Sequence, residues 1–307
     1  MKNDFTFLSS DGKTLIYATS WTPEGDIKAI LQISHGMVEY IGRYARFAEY
    51  LSANGILVVG NDHLGHGRSV TSDEDHGYFK HPGGLDIVTR DMHTLRELVT
   101  EQYPGVPYFL MGHSMGSFLA RFYLMHYADG LKGAIIMGTG SQPTAALKAG
   151  KLICRLIALF KGWRHRSKLV DSMAFSSNNK AFEPARTPCD WLTKDESIVD
   201  KYIHDPWCTY KFTLDGFYHL FSVIEAIQKP ANIEKTPKDL PLLLVSGSDD
   251  PVGQSGKGVK KAYEGYLAAG LTNVEMKLYQ GDRHEILNEL DYKTVFEDLK
   301  NWIENLL

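Results

Sequence analysis

The sequence predicts an α/β protein in which a mostly parallel sheet is flanked by helices and interrupted late in the chain by a helical insertion. Three observations predict this class. Short, nearly continuous apolar runs are typical of strands that are buried on both faces. Segments with helical spacing of apolar residues lie between these runs, and such alternation with short links is typical of a parallel sheet. The alternation stops after about Gly140 and resumes at Pro241.

The elements of the first half follow one another regularly. The alternating N-terminal residues around Asp11 and Gly12 predict two short strands joined by a turn. Gly55 predicts the end of the first helix. The predicted strands are then 29–33, 56–60, 108–111 and 134–137, and the predicted helices are 43–54, 86–103 and 117–127.

The second half contains two further strands and two further helices after a long interruption. The predicted strands are 241–245 and 274–279, and the predicted helices are 257–269 and 292–306. Between the two halves, residues 142–237 contain no buried-strand run and are rich in aromatic residues. We predict that 142–237 form a helical cap over one end of the sheet, and that 1–141 and 238–307 form the core domain.

Composition and charge exclude several classes of protein. The formal net charge of the 307 residues is −4, so we expect no nucleic-acid partner. The three cysteines form no CxxC pair, which argues against a disulfide framework or a zinc site and favours a reducing compartment. The N-terminus has no apolar leader, and no stretch approaches the roughly 18 apolar residues of a spanning helix. We therefore expect a soluble, cytoplasmic protein.

A serine lies in the pentapeptide GHSMG, between the predicted strand 108–111 and the predicted helix 117–127. A serine on a tight strand-to-helix turn needs small neighbours, which the two glycines provide. The turn presents the hydroxyl above the sheet, beside the positive end of the helix. We predict that Ser114 is the nucleophile of a serine hydrolase with the α/β-hydrolase fold, and that the backbone N–H of Met115 is one oxyanion donor.

A serine nucleophile needs a histidine to accept its proton and a carboxylate to orient that histidine. In this fold the chain order is serine, acid, histidine. His284 follows the strand 274–279 and is predicted to be the base. The acid should follow the strand 241–245, where Asp249 and Asp250 are adjacent. The restriction that Pro251 places on its neighbour slightly favours Asp250, but both aspartates remain candidates.

The loop after the first buried strand is expected to supply the second oxyanion donor, and we predict the backbone N–H of Met37. Glu39 and Arg43 are spaced i, i+4 and are predicted to form a structural pair. The segment 62–69, DHLGHGRS, has the residue types of a metal site, but its glycines favour a tight loop that supports the nucleophile turn. We predict no metal and no cofactor.

The segments HGMVEYIGRY, NDHLGHGRS and YPGVPYFLMGHSMG occur in this order. They resemble the corresponding segments of monoglyceride lipases and related lysophospholipase-like serine hydrolases. The resemblance implies that Ser114 is the nucleophile, Asp250 the acid and His284 the base. It also implies that Met37 and Met115 provide the oxyanion donors. In that family the cap forms an acyl-chain tunnel and touches membranes.

The predicted cap carries the candidates for substrate binding. Trp191, Phe217, His219 and Phe221 are predicted to line the substrate pocket. Apolar residues recur at helical spacing over 147–160 and alternate with lysines and arginines. A basic amphipathic helix of this kind either packs on the core or lies in a lipid interface, and both interpretations stay open. Besides the ester substrate, the expected partners therefore include a membrane surface, in transient contact with the cap.

These features predict a carboxylic-ester hydrolase that acts on single-chain lipid esters, either monoacylglycerols or lysophospholipids, through an acyl-enzyme. The alternative is a serine peptidase of the proline iminopeptidase type on the same fold. The loop Gly-Met-Val-Glu at 36–39 differs from the Gly-Gly-Pro-Gly loop usual in those peptidases. Ser114 excludes dehalogenases and epoxide hydrolases, which need an aspartate there, and the complete triad disfavours a non-catalytic binding protein.

Overall fold

Eight strands form one sheet in the computed structural model, which describes residues 1–307. The strands are β1 (Lys2–Leu8), β2 (Leu15–Trp21), β3 (Ala29–Ser34), β4 (Ile56–Asn61), β5 (Tyr108–His113), β6 (Leu131–Met137), β7 (Leu242–Gly247) and β8 (Val274–Tyr279). Their order across the sheet is β1-β2-β4-β3-β5-β6-β7-β8. The β1–β2 and β2–β4 pairs are antiparallel, and every other pair is parallel. The predicted mostly parallel sheet is confirmed.

Ten α-helices accompany the sheet. They are α1 (Ala45–Ala53), α2 (Gly84–Gln102), α3 (Met115–Tyr123), α4 (Thr144–Lys161), α5 (Lys168–Phe175), α6 (Glu196–His204), α7 (Leu214–Ile227), α8 (Pro230–Ile233), α9 (Lys257–Ala268) and α10 (Tyr292–Glu304). The first predicted helix begins as a 3₁₀ turn at Ile41–Tyr44 before α1. None of the helices combines the length and the apolar composition of a membrane span.

Helices cover both faces of the sheet because alternate residues of each strand point to opposite sides. In β3, for example, Ile30 belongs to one apolar core and Leu31 to the other. The first core contains side chains of α2, α3, α7 and α9, whereas the second contains side chains of α1 and α10. The inner strands β3, β4 and β5 are buried on both faces, which explains their nearly continuous apolar sequences.

Between β6 and β7 the chain forms α4 to α8 and short 3₁₀ turns, with no strand. We refer to residues 142–237 as the helical insertion. Its α7 helix packs against the core domain, with Phe217 and Val223 fully buried in the first apolar core. The α4 helix packs on α7, where the ring of Phe221 fills the space over Gly150. The insertion therefore shares a continuous apolar core with the sheet.

Candidate active site

Ser114 lies on a strained turn between β5 and α3. Its φ of 53° and ψ of −122° are unfavourable for a residue with a side chain. Side chains at the flanking glycines would overlap backbone, because a Cβ on Gly112 would meet the Gly116 carbonyl and one on Gly116 would meet the Ser34 carbonyl. The turn is closed by hydrogen bonds from the Ser117 N–H (2.9 Å) and hydroxyl (2.6 Å) to the Ser114 carbonyl. The glycines of the motif are thus a steric requirement.

His284 and Asp250 meet at the same end of the sheet, in the loops that follow β8 and β7. The His284 Nδ1 atom lies 2.9 Å from Asp250 Oδ1, and both side chains are buried. The Asp250 carboxylate also accepts hydrogen bonds from the Ser246 hydroxyl (2.9 Å) and the Val252 N–H (2.8 Å). Burial acts to raise the pKa of Asp250, but the His284 ring and these hydrogen bonds outweigh it and lower the pKa overall. The pair is an ionised carboxylate that holds an imidazole.

The structure brings Ser114 and His284 to the border of one cavity, although no hydrogen bond joins the serine hydroxyl to the imidazole. The neighbouring Asp249 is exposed, and its carboxylate accepts a bond from the Ser248 hydroxyl (2.9 Å). Of the two adjacent aspartates, only Asp250 contacts the histidine.

Two backbone N–H groups are available beside Ser114. Met115 is the first residue of α3, so its N–H has no partner within the helix. The N–H of Met37, in the loop after β3, donates to no acceptor in the protein. Met37 and Met115 border the cavity together with Ser114. Free N–H groups in this position are suited to hold a developing oxyanion.

A buried ionic network lies beneath the site and joins two of its loops, the one between β3 and α1 and the one after β8. Arg43 donates to Glu39 Oε2 (2.7 Å) and holds Glu285 by two bonds (2.8 and 2.7 Å). Glu39 Oε1 in turn accepts the N–H of Gly36, at 2.5 Å, in the loop that carries Met37. The predicted Glu39–Arg43 pair is confirmed as a contact, but sequence reasoning missed its connection to Glu285, whose only signal was its position next to the predicted base.

His113 extends this network to the turn at Ser114. Its Nε2 donates to the His284 carbonyl (3.2 Å), and its Nδ1 faces Glu39 Oε1 (3.4 Å) and the Tyr44 hydroxyl (3.0 Å). Burial acts to lower the pKa of His113, but the hydrogen bond and charge of Glu39 outweigh it, and the pKa is raised. The raised pKa favours the charged form of His113 beside Glu39, while Arg43 faces both Glu39 and Glu285. Sequence reasoning also missed His113, although it adjoins Ser114.

The helical insertion holds the histidine loop directly. The N–H of His284 donates to the Trp191 carbonyl (3.4 Å), and the N–H of Glu285 donates to the Leu192 carbonyl (2.7 Å). The Thr193 hydroxyl donates to the Asn288 carbonyl (2.9 Å). Residues 191–193 therefore run beside the histidine loop and fix its backbone.

A cavity of about 750 Å³ opens at Ser114, between the sheet and the helical insertion. Hydrophobic residues make up 21 of the 38 that line it, so it is suited to an apolar ligand. Trp191 and Phe221 line the cavity, as predicted for a substrate pocket. Phe217 is buried in the apolar core, and His219 faces Asp215, so neither lines the cavity. The positions of these two residues do not fit the predicted contact with substrate.

The polar segment 62–69 forms a tight loop beneath the site. The Asp62 carboxylate accepts the N–H groups of Ile41 and Arg68, each at 2.9 Å. His63 Nε2 lies 3.0 Å from the Ser34 hydroxyl at the end of β3. Burial raises the pKa of Asp62 to about 6. These side chains bond the loops around the nucleophile turn.

A parallel sheet with a serine on the turn between a central strand and a helix is typical of the α/β-hydrolase fold. Over residues 25–291 the chain matches the model of a family described as Hydrolase_4, serine aminopeptidase, S33, and it belongs to that family.

Known proteins resemble the chain over nearly its whole length. It is 28% identical to a monoglyceride lipase homolog of Monkeypox virus, with 94% of each chain covered. It is also 28% identical to the monoglyceride lipase of Rattus norvegicus, covering 97% of this chain and 89% of the relative. The structure of a thermostable carboxyl esterase from Bacillus coagulans, in complex with glycerol, matches with a TM-score of 0.92 and 31% identity over 99% of this chain and 98% of that one. These findings confirm the α/β-hydrolase fold and the resemblance to monoglyceride lipases.

Proposed function

We propose that this protein, a carboxylic ester hydrolase, cleaves monoacylglycerols and related single-chain esters such as lysophospholipids through an acyl-enzyme on Ser114. The observation that carries the proposal is the serine on its strained turn, open to a mostly apolar cavity. His284, which is bonded to the buried Asp250, borders the same cavity. The printed names of the relatives, monoglyceride lipases, support the same substrate class.

The reaction has two steps. In the first, the Ser114 hydroxyl attacks the ester carbonyl while His284 Nε2 takes its proton, and Asp250 stabilises the resulting imidazolium. The N–H groups of Met37 and Met115 hold the oxyanion. The ester bond then breaks, and the leaving alcohol receives the proton from His284. In the second step His284 activates a water, which attacks the acyl-enzyme, releases the carboxylic acid and restores Ser114.

The apolar lining of the cavity supports an acyl chain as its occupant. Side chains of α4, α5 and α7 line it, including Leu147, Ala174 and Leu220. An acyl chain in this space has no polar groups that would lose their hydrogen bonds to water, whereas a polar headgroup buried there would lose its hydration. We therefore expect medium and long acyl chains to be preferred over acetyl.

The nucleophile assignment is tested by Ser114→Ala. We expect this variant to lose hydrolysis of monoacylglycerols and of p-nitrophenyl esters, together with labelling by a fluorophosphonate probe. The exposed Ser72, changed to alanine, serves as the control and should keep both properties. Labelling or hydrolysis that survives in Ser114→Ala would contradict the mechanism. Highest specificity for acetyl esters would contradict the substrate class.

The family description also names an aminopeptidase, which is the alternative function. An aminopeptidase needs a free carboxylate to hold the substrate amine. The acidic residues that line the cavity are all paired: Glu39 and Glu285 bind Arg43, and Asp171 lies 3.2 Å from Lys211. This pairing favours the ester substrate. Turnover of prolyl anilides faster than p-nitrophenyl acyl esters would reverse that conclusion.

We further propose that the helical insertion contacts lipid surfaces through an exposed apolar ridge on α4, made of Leu152, Leu156, Leu159 and Phe160. These side chains are 51–88% exposed, whereas the opposite face of α4 is buried against the protein. Exposed lysines and arginines flank the ridge, which suits an anionic interface. On α5, Met173 is exposed and also lines the cavity, so the ridge lies near the route to Ser114.

A further inference from the structure

Two histidines and a carboxylate form a second cluster, apart from the active site. Asp215 and His219 lie one turn apart on α7, and His81 lies in the loop between β4 and α2. None of the three lines the cavity at Ser114. The proposed reaction therefore leaves this cluster without a role.

The three side chains point their ligand atoms at a common centre. Asp215 Oδ1 lies 3.2 Å from His219 Nε2 and 3.4 Å from His81 Nδ1, and all three atoms lie within 4.8 Å of one another. Bonds of about 2.0–2.1 Å to a tetrahedral metal ion place neighbouring ligand atoms about 3.3–3.4 Å apart. Both distances to the carboxylate oxygen therefore match the edge of such a coordination site.

All three atoms are buried and have no hydrogen-bond partner in the protein. Asp215 is fully buried, His219 is 6% exposed, and no lysine or arginine forms an ion pair with Asp215. A buried carboxylate oxygen without a donor or a cation is costly. A cation at the centre of the cluster would satisfy the three atoms together.

We propose that His81, Asp215 and His219 bind a divalent transition-metal ion, of which zinc fits the ligand set best. Two imidazoles and one carboxylate are ordinary zinc ligands, and imidazole suits zinc better than magnesium or calcium. Because the His81 side chain is 24% exposed, water completes the fourth position.

The surroundings hold the ligands in place. Asp215 Oδ2 accepts the Phe79 N–H at 2.7 Å, which leaves Oδ1 aimed at the two imidazoles. The ring of His81 stacks on Trp163, with centroids 3.8 Å apart. The Thr213 hydroxyl, at the start of α7, donates to the Gly77 carbonyl (2.6 Å) and so fixes α7 against the loop that carries His81. The three ligands are therefore preorganised in the metal-free protein.

The metal would cross-link the core domain and the helical insertion. His81 belongs to the core domain, whereas Asp215 and His219 belong to the insertion. A metal ion that binds the folded protein and not the unfolded chain raises stability by mass action. The role is structural, because the cluster does not border the reacting serine.

The test begins with metal binding to the full-length protein after removal of metals by a chelator. Titration with Co²⁺ should give the visible absorption of tetrahedral cobalt and saturate at one ion per chain, and Zn²⁺ should displace it. Zinc at a hundredfold excess over its Kd should raise the Tm by about 5 °C. Absence of stoichiometric cobalt and zinc binding would overturn the proposal.

Variants locate the ion. His81→Gln changes a partly exposed loop residue and should weaken zinc binding at least 100-fold, and Asp215→Asn should do the same. His93→Gln is the matched control, because His93 is similarly part-buried and also faces a carboxylate one helical turn away (Glu97, 3.7 Å), but that carboxylate is exposed. Circular dichroism verifies that each variant folds. Zinc affinity in His81→Gln equal to that of the wild type would place the ion elsewhere and refute the site.

Discussion

At the scale of single residues, two adjacent aspartates have opposite environments. Asp250 is fully buried and holds His284 through Nδ1, whereas Asp249 is exposed to solvent. The Asp250 carboxylate is held inside the protein by hydrogen bonds from the Ser246 hydroxyl and the Val252 N–H. The two positions therefore provide a matched comparison one residue apart.

Asp250→Asn should lower kcat by about 10⁴, because an amide stabilises neither the required tautomer nor the imidazolium. Asp249→Asn should stay within about twofold of the wild type, since its carboxylate lies outside the site. Steady-state hydrolysis of a monoacylglycerol by the purified variants measures both effects. Equal losses in the two variants would refute the assignment of the acid.

His113 predicts a dependence of stability on pH. Its pKa is raised in the folded protein, so the stability that its charge contributes is complete below the ordinary value of 6.5 and is lost as the pH rises through the folded pKa. His113→Gln should flatten the decline in the free energy of unfolding above pH 6.5. Urea unfolding from pH 5 to 9 measures this, with the exposed His126→Gln as the control. Parallel profiles for wild type and His113→Gln would contradict the prediction.

At the scale of elements, Arg43 connects two loops, the one between β3 and α1 and the one after β8. It precedes α1, binds Glu39 after β3 and binds Glu285 after β8. Glu39 also contacts His113, at the end of β5. Since the two carboxylates are buried, their charges need a cation nearby, and the guanidinium is the cation that Glu285 contacts.

Arg43→Ala should lower the free energy of unfolding by about 3–5 kcal/mol, because it leaves the buried Glu285 without a cation and leaves Glu39 with His113 alone. The exposed Arg90→Ala, on α2, should change it by no more than about 0.5 kcal/mol. Urea unfolding at pH 7 compares the two variants. A loss in Arg43→Ala as small as that in Arg90→Ala would show that water or rearrangement satisfies the carboxylates.

The α4 helix carries the prediction for lipid contact. Leu156→Asp and Phe160→Asp should each weaken co-sedimentation with anionic vesicles several-fold, because each removes apolar area from the ridge and adds a repelled charge. Leu98→Asp is the control, since Leu98 is 41% exposed on α2, away from the ridge. Vesicle binding that is unchanged in both ridge variants would contradict the proposed membrane contact.

At the scale of the whole molecule, local sequence patterns located most elements. The apolar runs predicted β3 to β7, and the pattern around Ser114 predicted the strand-to-helix turn there, because both depend on neighbours in the chain. The strand order, with β3 between β4 and β5, depends on long-range pairing that no local pattern contains. His219 illustrates the same limit, since its partner His81 is far away in sequence.

The hydrogen bonds from the His284 loop to the carbonyls of Trp191 and Leu192 have a consequence for protein engineering and for evolution. The insertion cannot be exchanged on its own, because the backbone of His284, the proposed general base, is hydrogen-bonded to it. A chimera that receives a relative's insertion should need that relative's histidine loop as well to retain full activity. Evolution can thus change the substrate range through this segment only if the histidine loop, nearly a hundred positions further along the chain, changes with it.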